Sequence, residues 1–154
     1  MWYNNGVVEV KVIATNKKAF FEYEILDTYE AGIVLMGCEV KSIREGHISL
    51  LNSFVTVKSG EVWLKNCYIK TYEKSTAFNP DERQKRKLLL NKREILKLQA
   101  EINEKGLTVV PLKVYFNKDN RVKLEIAVAR GKKLYDKRKA IKEREQKREL
   151  ARQI

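Results

Sequence analysis

The chain has 154 residues, of which 44% are hydrophobic, and 32 Lys and Arg face 20 Asp and Glu, a net charge of +12. The length fits one domain of ordinary size, and the apolar content excludes a wholly disordered polycation. The charge predicts a polyanionic partner, nucleic acid before an anionic membrane surface. No apolar run approaches the ~20 residues that span a bilayer, and the start lacks the pattern of a secretory signal, so we expect a cytoplasmic protein without a membrane partner.

Alternating apolar and charged side chains predict strands in the first half of the chain. The alternation is clear at residues 8–12 and 21–25. Residues 33–40 are apolar on both faces apart from Glu39, which predicts a central strand. Ser59-Gly60 lies between two further apolar stretches and predicts a hairpin.

A second hairpin is predicted near the end of the apolar part, with Asn117-Lys118-Asp119-Asn120 as its turn. We expect Val110, Leu112, Val114 and Phe116 to share one face of its first strand. Pro111 cannot donate a hydrogen bond to a neighbouring strand, so it should lie at an edge or a bulge.

Helical signals interrupt the strands between residues 80 and 105. Asn79-Pro80 resembles a helix start, and Asn91 is followed by apolar residues at helical spacing until Gly106. The pattern predicts two short helices or one bent one. About six strands with a helical insertion predict a mainly β protein with helices, an OB-like antiparallel β-barrel.

The charge divides the chain into a body, residues 1–130, and a basic C-terminal tail, residues 131–154. The tail holds ten basic and four acidic side chains, a net charge of +6 that is half of the total. Few large apolar residues accompany them, so we expect a segment disordered in isolation that becomes helical along a polyanion. Tyr135 lies among tail cations and is suited to stacking on a base.

A basic cluster in the body precedes Asn91, where the start of a helix would present unpaired N–H groups to phosphate. Its members are Arg83, Lys85, Arg86 and Lys87. Lys17 and Lys41 lie in other basic segments that would extend the surface.

Catalytic and metal signatures are weak. His47 is the sole histidine, Cys38 and Cys67 have no Cys-x-x-Cys spacing, and the seven glycines form no phosphate loop. Asp27 and Glu30 have the residue types of an acid/base pair, but solvated strand-end or turn positions explain them more simply. We expect no catalytic residues, no metal and no cofactor.

Several segments in a fixed order resemble the SmpB family, the bacterial SsrA-binding proteins, over essentially the whole chain. They are Asn16-Lys17-Lys18, Tyr29-Glu30-Ala31-Gly32, Gly37-Cys38-Glu39-Val40-Lys41-Ser42, Arg86-Lys87-Leu88-Leu89-Leu90-Asn91, and Gly131-Lys132-Lys133-Leu134-Tyr135-Asp136-Lys137-Arg138.

The resemblance implies an OB-like barrel that binds the tRNA-like domain of transfer-messenger RNA (tmRNA, SsrA RNA). It also implies delivery of this RNA to stalled ribosomes for trans-translation, with the tail in the empty mRNA channel and decoding centre. The implied partners are tmRNA and the ribosome, with elongation factor Tu through tmRNA, and the protein would be a monomer.

The family's functional positions match individual residues. Its RNA-contacting glutamate, leucine and asparagine match Glu30, Leu89 and Asn91, and the glycine before the tail matches Gly131. With the basic residues, the expected RNA-binding set is Lys17, Glu30, Lys41, Arg86, Lys87, Leu89, Asn91, Gly131, Lys132 and Lys133. The expected ribosome-engaging set is Tyr135, Asp136, Lys137, Arg138, Lys142 and Arg144. Tyr135 replaces a histidine common in relatives, and Gln146 replaces a tail tryptophan of some relatives.

Two other functions remain open at this point. One is a general OB-fold RNA chaperone or ribosome-biogenesis factor, and the other is an RNA-processing enzyme.

Overall fold

The computed structural model of the protein describes residues 2–4, 9–71, 81–132 and 134–153. In these residues the strands are β1 (Trp2–Asn4), β2 (Glu9–Thr15), β3 (Tyr23–Ile33), β4 (Ile48–Ser49), β5 (Phe54–Lys58), β6 (Glu61–Lys65), β7 (Tyr68–Ile69), β8 (Arg86–Leu89), β9 (Thr108–Phe116) and β10 (Val122–Gly131). The helices are α1 (Lys17–Glu22), α2 (Gly37–Arg44), α3 (Lys92–Lys105) and α4 (Leu134–Gln153).

Six strands close into an antiparallel ring. Their order is β9, β10, β3, β8, β6 and β5, and the pairing of Val55 with Val109 joins β5 back to β9. β2 pairs with the other end of β9 and carries β1 on its outer edge, while β4 and β7 form a separate pair. Closure leaves the ring without free edges. The predicted mainly β antiparallel barrel is therefore confirmed.

The barrel interior is filled by alternate residues of every strand in the ring. Val62, Leu64, Leu124 and Ile126 are completely buried there. Helices α2 and α3 pack against this core, because Ile43 of α2 and Leu98 of α3 are also completely buried in the same cluster. These side chains are what hold the helices in place beside the ring.

A bulge beside Pro111 changes which side chains of β9 face the barrel interior. Pro111 pairs with Ile126 and Lys113 with Glu125, so Leu112 is an extra residue on β9. Val114 and Phe116 consequently face the barrel core, whereas Val110 and Leu112 face outward under α1. The prediction of one shared face for these four residues is wrong, and the predicted bulge at Pro111 is confirmed.

Both predicted hairpins are present. Ser59 and Gly60 connect β5 to β6 with φ of 53° and 75°, left-handed values that match the twist of a two-residue hairpin. Residues 117–121 connect β9 to β10.

Two local predictions are wrong. The strand expected over residues 33–40 ends at Ile33, and α2 begins at Gly37, because Glu39 stabilises a helix start by accepting a hydrogen bond from the Met36 backbone N–H at 3.0 Å. The strand expected from residue 21 begins only at Tyr23, after α1.

The prediction of helices between residues 80 and 105 is correct only for the second helix. Residues 81–85 form no helix and Arg86–Leu89 is strand β8, while Asn79 and Pro80 lie outside the described residues. The second predicted helix is α3, with Asn91 as its N-cap and Gly106 ending it at φ 63°. Tertiary pairing of β8 with β3 and β6 overrides the local helix signal.

The tail follows β10 directly. The Lys132 backbone N–H donates to the Glu22 carbonyl at 2.9 Å, and α4 begins beside α1. Side chains 141–150 are all exposed, so this stretch of α4 has no core packing of its own. Disorder of the isolated tail stays a prediction.

No helix in the described part of the chain is long and apolar enough to cross a membrane.

Candidate nucleic-acid interface

The predicted RNA-contacting residues Glu30 and Leu89 share the outer face of the barrel. β3 pairs with β8 so that Gly32 lies opposite Leu89. Because Gly32 has no side chain, Leu89 is not covered from β3 and is 53% exposed. Glu30 lies two residues before Gly32 and therefore on the same face. An apolar contact and a carboxylate are presented together to the outside.

The Glu30 carboxylate is held by a side chain of β9, across the intervening strand β10. The Tyr115 hydroxyl on β9 donates a hydrogen bond to Glu30 Oε2. Burial of the Tyr115 ring, followed by this bond to Glu30, raises the pKa of the phenol, so the hydroxyl remains a donor across the physiological range. An oriented carboxylate of this kind accepts hydrogen bonds from base amino and imino groups or from a ribose hydroxyl.

Asn91 begins α3 at the end of β8. Its side-chain oxygen accepts from the Glu94 backbone N–H at 2.9 Å, and Glu94 Oε1 accepts from the Asn91 backbone N–H at 3.3 Å. This capping box fixes the turn from β8 into α3 and leaves the backbone N–H groups of Lys92 and Arg93 pointing out of the helix start. Both side chains are exposed, so phosphate would find two cations and two N–H donors here.

Arg86 is in the core and not on the interface. All five guanidinium donors are used: Nε and Nη2 donate to Glu39 Oε2 at 2.6 Å, and the others reach the carbonyls of Cys67, Gln84 and Glu82. The side chain is 1% exposed, so no donor remains for phosphate. Placing Arg86 among the RNA-binding residues is therefore wrong; it joins α2 to the segment before β8.

The other predicted residues lie apart. Lys87 is on the outer face of β8, with Nζ 3.6 Å from Glu61 Oε1. Lys17 begins α1 and Lys41 lies in the last turn of α2, and both are exposed. Gly131 ends β10 opposite Tyr23, seven residues along β3 from Glu30, or roughly 23 Å at ~3.3 Å per residue. The structure thus separates these residues: Lys17 and Gly131 lie at or beside α1, whereas Lys41 lies on α2.

The tail residues belong to α4 or precede it. Lys132 lies beside α1, and Lys133 lies outside the described residues. The backbone of α4 includes Tyr135, Asp136, Lys137 and Arg138, and farther along it Lys142 and Arg144 are exposed.

Two outward-facing aromatic residues near Glu30 and Leu89 are not among the residues predicted from the sequence. Tyr115 lies in an apolar run and resembles a core residue, although its place between Val114 and Phe116 indicates the opposite face. Trp63 lies between two buried residues of β6 and also faces outward, with Lys85 Nζ 4.6 Å from the centre of its ring. Alternation was the signal available for both.

These features are typical of a nucleic-acid-binding protein of the OB-like class. They are a closed antiparallel barrel, an exposed carboxylate and leucine on its outer face, a basic helix start and a basic terminal helix. The chain belongs to the SmpB family, because the family described as "SmpB protein" matches residues 13–154. An SsrA-binding protein of Sulfurihydrogenibium sp. (strain YO3AOP1) is 59% identical over 91% of both chains. An SsrA-binding protein of Persephonella marina is 56% identical, over 92% of this chain and 93% of its own.

A solved structure has a similar fold. The match is a chain in the structure called "tmRNA-SmpB: a journey to the center of the bacterial ribosome". It is 47% identical, covers 83% of this chain and 93% of its own length, and superimposes with a TM-score of 0.67. The sequence resemblance to the SmpB family is therefore matched by a resemblance of the folded barrel.

Proposed function

We propose that the protein binds the tRNA-like domain of tmRNA and delivers it to stalled ribosomes for trans-translation. The observation that carries this is that Glu30 and Leu89 share one outer face of the barrel, with Asn91 at the start of α3 two residues after Leu89, in a member of the SmpB family. SsrA-binding protein is the name of its close relatives, and a homologous chain is solved with tmRNA on the bacterial ribosome.

The mechanism assigns separate tasks to the barrel and the tail. Glu30 would accept hydrogen bonds from bases or ribose, Leu89 would pack against a base or sugar, and the start of α3 would hold phosphate. The basic α4 would enter the mRNA channel, which is free only when no message occupies it. Gly131 and Lys132, beside α1, would set the direction in which the tail leaves the barrel.

The protein would be an adaptor and not a catalyst. Peptidyl transfer would be carried out by the ribosome, and the protein would act in the cytoplasm as a monomer, with elongation factor Tu reached through the RNA.

Binding of labelled tmRNA, tRNA and random RNA at ~150 mM salt tests the proposal. Non-specific binding loses affinity steeply with salt, because it rests on release of counterions from phosphates. We expect a retained preference for tmRNA. Equal, salt-sensitive binding of all three RNAs would identify a general RNA chaperone, and metal-dependent cleavage would identify an RNA-processing enzyme.

A further inference from the structure

An aromatic and basic patch lies next to the outer face that carries Glu30 and Leu89. We call it the Trp63 patch, and its members are Trp63, Tyr68, Arg83, Lys85 and Lys87. Lys85 Nζ lies 4.6 Å from the centre of the Trp63 ring, and Arg83 Cζ lies 5.3 Å from the centre of the Tyr68 ring. Two cations from one short loop thus cover two aromatic rings from one neighbouring stretch of chain.

One of the three cations of this patch, Lys87, is paired with Glu61, and the other two have no carboxylate partner among the described residues. In the described part of the chain neither Arg83 nor Lys85 forms an ion pair, and both are exposed. The nearby acids have other partners: Glu61 faces Lys87, Asp81 accepts from the Arg83 backbone N–H, and Glu82 accepts from the Thr71 backbone N–H. The patch therefore offers positive charge together with aromatic faces.

The Trp63 patch is continuous with the outer face that carries Glu30 and Leu89. Trp63 is paired with Lys87 across β6 and β8, and Leu89 follows Lys87 on the same face. Leu89 in turn lies opposite Gly32, two residues from Glu30. One unbroken outer surface thus runs from Glu30 over β8 to Trp63.

We propose that the Trp63 patch is an additional RNA-binding surface, where an unpaired base of the RNA held at Glu30 and Leu89 stacks on the Trp63 ring. The proposal rests on the proposed function for the identity of that RNA. Every base has a π-face, so a Trp platform with flanking Lys and Arg binds single-stranded RNA without reading its sequence. The long side chain of Lys85 leaves the ring for a phosphate as the base takes its place.

Trp63 itself reports the stacking. The chain has two tryptophans, so Trp2→Phe makes Trp63 the sole indole of the full-length protein. We expect the RNA of the tRNA-like domain to quench this fluorescence in proportion to the bound fraction measured by filter binding. Unchanged fluorescence at saturating RNA would overturn the proposal, and this readout does not depend on any substitution at Trp63.

Substitution gives a second test. Trp63→Leu removes the ring and should weaken binding by about 5- to 100-fold, whereas Trp63→Phe keeps an aromatic face and should bind within a few-fold of the original chain. Circular dichroism checks that the variants are folded. Equal binding by a folded Trp63→Leu variant would also overturn the proposal.

Lys85→Gln should reduce the slope of log affinity against log salt by about 0.7 to 0.9, the contribution of one phosphate contact. Lys105→Gln is the matched control, because Lys105 lies at the far end of α3 and carries the same charge. An equal effect of both substitutions would contradict a specific role for Lys85.

The two proposals fail differently. If tmRNA is preferred and Glu30→Ala weakens binding while every Trp63 readout is silent, only the stacking surface is refuted. If tmRNA is not preferred over tRNA and random RNA, the proposed function itself fails, whatever the fluorescence does.

Discussion

Tyr115 on β9 donates a hydrogen bond to the carboxylate of Glu30 on β3, across the intervening strand β10. Tyr115 is 8% exposed and Glu30 is exposed, so the bond holds the proposed RNA contact by a buried side chain of β9. The direction of the Glu30 side chain is thereby fixed before any RNA arrives, which reduces the entropy lost on binding.

Tyr115→Phe should therefore weaken tmRNA binding several-fold and lower the free energy of unfolding by about 1.5–3 kcal/mol, the range for a hydrogen bond to a charged group. Filter binding and urea denaturation measure the two effects. The same substitution in a Glu30→Gln background should change RNA affinity less, because the carboxylate is already gone. Full additivity of the two substitutions would contradict the positioning role.

Much of the barrel was predictable because its strands alternate. The two hairpins follow from period-2 patterning with turn residues such as Ser59 and Gly60, and these signals are local. The order of strands around the ring was not predictable, since the pairing of Val55 with Val109 depends on tertiary packing.

The candidate site was predictable only as a set of residue types. Nothing in the sequence distinguishes Arg86 from Lys87, yet the first is buried against Glu39 and the second is on the outer face. Burial of a charge depends on a partner distant in sequence, which a local pattern cannot identify. The family resemblance supplied Glu30, Leu89 and Asn91, but it did not supply Tyr115 or Trp63.

Arg86 and Glu39 form a buried ion pair whose members need each other. Glu39→Gln removes the negative charge and leaves the guanidinium buried, so we expect the free energy of unfolding to fall by about 3–5 kcal/mol in urea denaturation. The double variant Glu39→Leu with Arg86→Met should lose less, because no unpaired charge remains. A double variant as unstable as Glu39→Gln would contradict this explanation.

Asn91 caps α3 and also belongs to the proposed RNA site, and two substitutions separate these roles. Asn91→Ser keeps a capping oxygen and should leave stability nearly unchanged, whereas Asn91→Ala should cost about 1 kcal/mol. Both remove the amide and should weaken tmRNA binding to a similar degree by filter binding. If Asn91→Ser binds tmRNA normally, the asparagine acts only as a cap.

Cys67 and Cys38 should differ in reactivity. Burial raises the pKa of the Cys67 thiol to about 11 from its ordinary value of 9.0, whereas Cys38 is only half-buried. A thiol reagent at pH 8 should therefore modify Cys38 first and Cys67 only as the protein unfolds, as peptide mapping would show. Because the folded state disfavours the thiolate, this group's contribution to stability should be present below pH 9 and be lost as the pH rises toward 11. Rapid labelling of Cys67 in the folded protein at pH 8 would contradict the low reactivity predicted for this thiol.

The tail should be needed for tagging and not for binding. Asp136 and Lys137 lie on α4, beyond the point where Lys132 bonds to Glu22, and roughly 23 Å of β3 separates that point from Glu30. Asp136→Ala with Lys137→Ala should thus leave tmRNA affinity within about two-fold while abolishing tagging in a translation assay on a message without a stop codon. Glu30→Ala is the reciprocal control, since it should lower affinity and tagging together. A proportional loss of affinity and tagging in the tail variant would mean that the barrel and the tail bind the RNA as one surface.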